Sequence, residues 1–173
     1  MKLLLPAPIV ERLKRKLRGR IREIGGIIVG EHAGQEVFRV VDISFQKRGG
    51  TIAHFVRDPA HHRAFLDAFF QRTGHDYTRF NYLGEWHSHP AFEPLPSGED
   101  LRTMYDLVQD QAVGVNFAVL IIARLTPVET LEFSATLFRA GVVPESIGVE
   151  VERVQGSVVK RGWIGRFFGT WVK

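Results

Sequence analysis

Residues 86–100 read Trp86-His87-Ser88-His89-Pro90-Ala91-Phe92-Glu93-Pro94-Leu95-Pro96-Ser97-Gly98-Glu99-Asp100. Asn81 to His87 reads as a strand, and side chains two apart on a strand face the same side, so His87 and His89 point together. Pro90, Pro94 and Pro96 make residues 88–96 a stiff, non-helical loop. Ser97 starts a helix to about Gln111, with Asp100 in its first turn, so the loop can return this carboxylate to the histidines. Two imidazoles and one carboxylate leave a fourth tetrahedral position for water, the catalytic rather than the structural pattern for zinc.

Each part alone has an ordinary explanation. Histidine pairs are common on surfaces, and Ser97-x-x-Asp100 is also a helix N-cap with an acid in the first turn. Together they are specific. At this chain's own residue frequencies the whole spacing arises by chance with a probability of ~4 × 10⁻⁴.

Outward from this stretch, Ile9, Leu13 and Leu17 recur every fourth residue, predicting an amphipathic helix over Ile9–Arg20, entered through Pro8 and stopped near Gly19. Ile24–Gly30 is a buried strand, and Glu36–Phe45 a second, with His32-Ala33-Gly34 in the turn before it. Thr51–Val56 reads as a strand after the Gly49-Gly50 break. Asp58-Pro59 opens a helix through about Arg72, ended by Gly74. Phe117–Arg124 and Leu131–Arg139 are strands around a turn at Thr126-Pro127. Strands interleaved with helices predict an α/β or α+β sheet domain.

The composition supports one globular domain: 173 residues, 45% hydrophobic and 24% charged. The absence of cysteine excludes disulfides, a thiol nucleophile and thiolate zinc sites, and fits a reducing cytoplasm, the expected location. Met1–Val10 lacks the apolar core of a signal peptide, and no apolar run approaches the ~18 residues of a membrane span. The net charge of +4 is matched by Lys160, Arg161, Arg166 and Lys173, so the body is balanced and no nucleic-acid partner is expected. The expected division is a domain over 1–155 and a basic, aromatic tail over 156–173. That tail either packs on the domain or docks a partner or an anionic membrane surface.

His87-x-His89, seven residues, Ser97, two residues, Asp100 resembles the JAMM signature of the JAB/MPN+ zinc metalloproteases. Glu23-Ile24-Gly25-Gly26-Ile27-Ile28-Val29-Gly30 resembles that family's upstream Glu-x-x-Gly-x-x-x-Gly pattern. Tyr82–Trp86 and Pro94–Ser97 resemble the bacterial branch, above all the deconjugases of CBASS and related antiphage operons. The likeness spans about residues 8–140, but its specific motifs occupy Glu23–Gly30 and Leu83–Asp100.

The resemblance implies a cytidine-deaminase-like JAB/MPN domain with a mixed, curved sheet flanked by helices. It implies zinc held by His87, His89 and Asp100, with Glu23 moving the proton and Ser97 donating to the oxyanion. Glu85, Glu31 and Glu99 are rivals for the role of Glu23. The remaining histidines, 32, 54, 61, 62 and 75, are expected in surface or capping roles. Gly25, Gly26 and Gly30 have the wrong spacing for a nucleotide loop, and in this family such residues let strand and helix backbones pack closely.

The implied activity is isopeptide hydrolysis behind the C-terminal glycine of a ubiquitin-like modifier, or of a CD-NTase-type conjugate, with E1/E2-like enzymes as further partners. The modifier's C-terminal strand would lie along the edge Gln46–Val56. The rivals are a non-catalytic MPN scaffold, and a hydrolase acting on a sulfur-carrier adduct or a small peptide.

Overall fold

The computed structural model describes residues 1–46 and 59–152. The expected strand Thr51–Val56, most of the edge Gln46–Val56, His54, the His61 side chain and the tail 156–173 lie outside the described residues.

The elements in chain order are β1 (Lys2–Pro6), α1 (Ala7–Leu17), β2 (Gly25–Gly34), β3 (Val37–Ile43), α2 (Pro59–Arg72), β4 (Phe80–Ser88), α3 (Gly98–Gln109), β5 (Ala118–Leu125), β6 (Leu131–Phe138), β7 (Glu145–Ser146) and β8 (Gly148–Glu152). The strands form one mixed sheet in the order β7-β6-β5-β4-β2-β3-β1-β8. β4 and β5 are parallel, as are β1–β3 and β1–β8, while the other neighbours are antiparallel. Antiparallel neighbours can be joined by a short turn, but the parallel β4–β5 pair needs a crossover, and α3 supplies it.

α1 begins after Pro6 with a second proline in its first turn, where a missing N–H costs nothing, and Lys14, Arg15 and Lys16 occupy the dipole-favoured last turn. Its buried stripe is Ile9, Leu13 and Leu17, as the four-residue spacing required. That stripe packs into the main core with Leu3 and Leu5 of β1, Ile28, Leu83, Val119, Ile121 and Leu137. The other face of β5, made of Ala118, Leu120 and Ile122, packs against Met104, Leu107 and Val108 of α3. β5 is therefore covered on both sides, which explains its apolar run from Ala118 to Ala123.

Several boundaries differ from the expectation. β2 continues through His32-Ala33-Gly34, which belong to the strand rather than the turn. Its hairpin with β3 turns at Gln35-Glu36, where Glu36 takes a positive φ of 54°. β1, β7 and β8 were not anticipated. Leu3 and Leu5 are buried while Leu4 is half-buried, an alternation too short to separate from a simple leucine run. Gly26 and Gly30 serve close approach to the β3 side rather than to a helix: a Cβ on Gly30 would lie 2.3 Å from the Arg39 carbonyl oxygen of β3, and one on Gly26 2.3 Å from that of Ser44, just past β3. Among the described residues, no helix is long and apolar enough to cross a membrane.

β7 and β8 are separated only by Ile147, yet they occupy opposite edges of the sheet. The sheet therefore curls until one segment, Glu145–Glu152, completes both edges, with α1 against its concave core. Within the β4-β2-β3-β1-β8 part of the sheet, Arg39 of β3 pairs with Glu152 at 2.8 Å and Glu31 at 3.0 Å, and Glu31 pairs with Arg79 at 2.8 Å.

Two outcomes follow for stability. Leu13→Ala removes a fully packed side chain and is expected to cost about 2–5 kcal/mol in urea unfolding. Burial pushes the Glu31 carboxyl up, but hydrogen bonds and charge from Arg79 and Arg39 outweigh it and hold it below the ordinary 4.5. A folded-state value below the unfolded one means the stabilisation is complete above pH 4.5 and is lost as pH falls through the folded value. Glu31→Gln should therefore be less stable than the parent at pH 7, with the difference shrinking in unfolding curves taken at progressively lower pH.

Candidate metal centre

Glu23, His87, His89, Ser97 and Asp100 converge on one cleft of about 360 Å³, whose lining also includes Phe92, Glu93 and Leu95. β4 brings His87 to the α3 face of the sheet, in register with Ile122 of β5. His89 follows the strand end and remains tied to β5 through its amide, which donates to the Ala123 carbonyl at 2.9 Å. The two Nε2 atoms lie 3.2 Å apart. His89 Nδ1 lies 3.0 Å from the Glu93 carbonyl oxygen. A carbonyl only accepts, so Nδ1 carries the proton and Nε2 turns its lone pair to the cleft.

Asp100 divides its carboxylate between two tasks. Oδ2 accepts from the Ser97 amide at 2.7 Å, while Ser97 Oγ accepts from the Asp100 amide at 3.1 Å, a reciprocal capping box. Oδ1 lies 3.3 Å from His87 Nε2. The capping explanation and the ligand explanation of Ser97-x-x-Asp100 are thus both satisfied by the same side chain. Burial pushes the Asp100 carboxyl up, but the hydrogen bond and charge of His87, with the Ser97 hydroxyl and amide, outweigh it and hold it well below the usual carboxylate range.

Glu23 lies two residues before β2 and is 3% exposed. Ser88, between the two histidines, holds this approach from both directions. Its amide donates to the Ile24 carbonyl at 2.9 Å, and its Oγ accepts from the Ile24 amide at 3.1 Å. Glu23 Oε1 then lies 3.8 Å from His89 Nε2.

The rival acids are elsewhere. Glu31 is held by Arg39 and Arg79, Glu85 accepts from the Tyr82 hydroxyl at 3.4 Å, and Glu99 is exposed beside the cap. Sequence reasoning missed Ser88 and the Glu93 carbonyl. Ser88 sat inside the motif as an unassigned position, and a carbonyl acceptor leaves no trace in residue type. His62 departs from its expected surface or capping role, being 4% exposed and bonded on both ring nitrogens.

The donor set fits a tetrahedral divalent ion. Bonds of ~2.0–2.1 Å put neighbouring ligand atoms ~3.3–3.4 Å apart, close to the 3.2 Å between the imidazoles and the 3.3 Å from His87 Nε2 to Asp100 Oδ1, while Asp100 Oδ2 is 4.0 Å from His89 Nε2. Glu23, His87 and His89 also have ligand atoms within 4.8 Å of one another, so these three could hold an ion as well. Glu23 and Asp100 lie at similar distances from His89 Nε2, 3.8 and 4.0 Å, and Asp100 Oδ1 lies 3.3 Å from His87 Nε2. A larger cleft of about 510 Å³ opens at the far end of β2 and β4, with Phe38, Phe70, Tyr77 and Phe117 in its wall, but among the described residues no carboxylate lines it.

Residues 6–136 match the family model described as prokaryotic homologs of the JAB domain. The chain belongs to the prokaryotic JAB family. Two relatives of this JAB domain bear the name CD-NTase/cGAS isopeptidase. The protein from Enterobacter hormaechei subsp. hoffmannii (strain UCI 50) is 26% identical over 139 residues, covering 79% of this chain and 74% of the relative. The one from Vibrio cholerae serotype O1 (strain ATCC 39315 / El Tor Inaba N16961) is 32% identical over 114 residues, covering 64% and 67%. The solution structure of a Desulfitobacterium hafniense protein matches the fold of the JAB domain with a TM-score of 0.63 at 19% identity, over 87% of this chain and 92% of that one. The α+β architecture expected from the interleaved strands and helices is the one found.

Zinc titration of the metal-stripped protein separates the two possible ligand sets. Asp100→Asn and His89→Ala should each weaken binding at least ~10-fold, with Glu23→Gln staying within ~3-fold of the parent. The reverse order would place Glu23 on the ion.

Proposed function

We propose that this JAB domain is a zinc-dependent isopeptidase. It hydrolyses the bond between the C-terminal glycine of a ubiquitin-like modifier, or the end of a CD-NTase-type conjugate, and a target amine. The observation that carries this reading is the gathering of His89 Nε2 and Asp100 Oδ1 at 3.2 and 3.3 Å from His87 Nε2, with Asp100 Oδ2 4.0 Å and the buried Glu23 carboxylate 3.8 Å from His89. The names of the relatives from Enterobacter hormaechei and Vibrio cholerae support the substrate class.

His87, His89 and Asp100 would hold zinc, which when bound supplies Lewis acidity that acidifies water toward neutral pH and polarises a carbonyl. The remaining work belongs to the chain. Glu23 takes a proton from the attacking water and returns it to the departing amine nitrogen, and its burial in the cleft wall excludes competing solvent. Ser97 Oγ already accepts from the Asp100 amide, so its own hydrogen can turn into the cleft toward the carbonyl oxygen as negative charge develops there. Phe92 and Leu95, both more than half exposed, form an apolar rim beside the reacting groups.

The catalytic unit in this reading is residues 1–155, with 156–173 outside it. The setting is bacterial antiphage defence in the cytoplasm, beside E1/E2-like enzymes that make the conjugate.

A linear fusion of a ubiquitin-like domain ending in glycine to a reporter peptide tests the activity. Cleavage after the glycine, stopped by chelation and restored by zinc, is the expected result. Cleavage of the free peptide alone would favour the small-peptide reading, and a metal-independent action on the conjugate would favour a scaffold. Glu23→Gln should lower kcat by at least ~10²-fold with zinc retained. Ser97→Ala should lower it by a factor corresponding to ~2.7–4 kcal/mol of barrier.

A further inference from the structure

His62 lies in α2, within hydrogen-bonding distance of two residues that follow β3. Its Nδ1 is 3.2 Å from Ser44 Oγ, and its Nε2 is 3.0 Å from Gln46 Oε1. The glutamine oxygen only accepts, so Nε2 carries the ring proton and donates it; Nδ1 then accepts from the Ser44 hydroxyl. A neutral imidazole uses both nitrogens in this arrangement, and no apolar side chain could replace both bonds.

Ser44 and Gln46 in turn hold the entry of β2. Ser44 Oγ accepts from the Ile27 amide at 2.9 Å, and the Ser44 amide donates to the Ile27 carbonyl at 3.0 Å. The Gln46 amide donates to the Gly25 carbonyl at 2.7 Å. The Ser44 carbonyl also accepts from Trp86 Nε1 at 2.9 Å, one residue before His87. Gly25–Ile27 are therefore gripped from the His62 side, while Ser88 grips Ile24 from the other. Glu23 is the next residue along. The packing leaves no slack, since even a Cβ on Gly26 would collide with Ser44.

We propose that His62 is a positioning residue. Acting from α2 through Ser44 and Gln46, it fixes the entry of β2 and with it the placement of the Glu23 carboxylate against His89, while standing outside the cleft lining. This rests on the reading of Glu23 as the proton carrier, and it adds to that reading a residue that touches neither metal nor substrate.

The test uses the full chain loaded with zinc. His62→Ala should lower kcat on the ubiquitin-like fusion by ~10–100-fold, the scale of a misplaced catalytic group, with KM within ~3-fold and one zinc per chain retained. Amide hydrogen exchange at Gly25 and Ile27, which needs no substrate, should accelerate at least ~10-fold. Ile9→Ala, which removes core packing in α1, serves as a stability control and should keep kcat within ~3-fold. A His62→Ala protein with kcat within ~2-fold of the parent and unchanged exchange at Gly25 and Ile27 would overturn the inference, as would an equal loss of kcat in Ile9→Ala. Glu23→Gln run alongside keeps the two readings apart. Turnover surviving Glu23→Gln removes the proton carrier itself, whereas turnover lost there and intact in His62→Ala removes only the role of His62.

Discussion

The site depends on one short piece of backbone pairing, where Ser88 meets Ile24 at the end of the β2–β4 ladder. His87 and His89 flank that serine, and Glu23 adjoins that isoleucine. The distance from carboxylate to imidazoles is therefore set by one main-chain hydrogen bond and one to the short Ser88 side chain, rather than by long side chains. Backbone bonds of this kind tolerate little displacement, and the cleft inherits their rigidity. A site assembled from flexible side chains alone would lose rotamer entropy each time it formed.

The second support is the dual use of Asp100. A carboxylate that both caps α3 and faces His87 is oriented by the helix it stabilises. The first turn of α3 gains a satisfied amide, and the cleft gains a negative oxygen held in one direction. The dipole at the helix N-terminus also favours that charge. Stability of α3 and readiness of the cleft are thus the same interaction seen from two sides, and a change to Ser97 acts on both.

The strongly periodic parts of the chain were legible from residue types. The α1 stripe, the β4–loop–α3 sequence and the apolar strand β5 follow from spacing, proline placement, capping chemistry and composition. The residues of the candidate centre were readable for the same reason, since imidazoles and carboxylates at fixed intervals have few other uses. β1, β7 and β8 were not legible, because strands of five residues or fewer carry too little alternation to stand out. Their formation depends on distant partners: Leu3 becomes a strand residue only beside Phe38 and Val149. His62 was misread because a histidine on a helix gives no hint of Ser44 and Gln46, which approach it through tertiary folding. The end of β2 was misplaced because His32-Ala33-Gly34 has turn-like composition, and only pairing with β3 and β4 extends the strand past Gly30.

The segment that completes both edges of the sheet has a consequence for biosynthesis. β1 leaves the ribosome before the other described elements, but one of its two neighbours, β8, lies near residue 150. Until that partner arrives, Leu3 and Leu5 have one strand beside them and an open ladder on the other side. Pairings between such distant parts of a chain form slowly, because the loop between them must close first. The nascent domain therefore spends most of its synthesis as an open sheet, and β8 acts as the clasp that turns it into a finished shell.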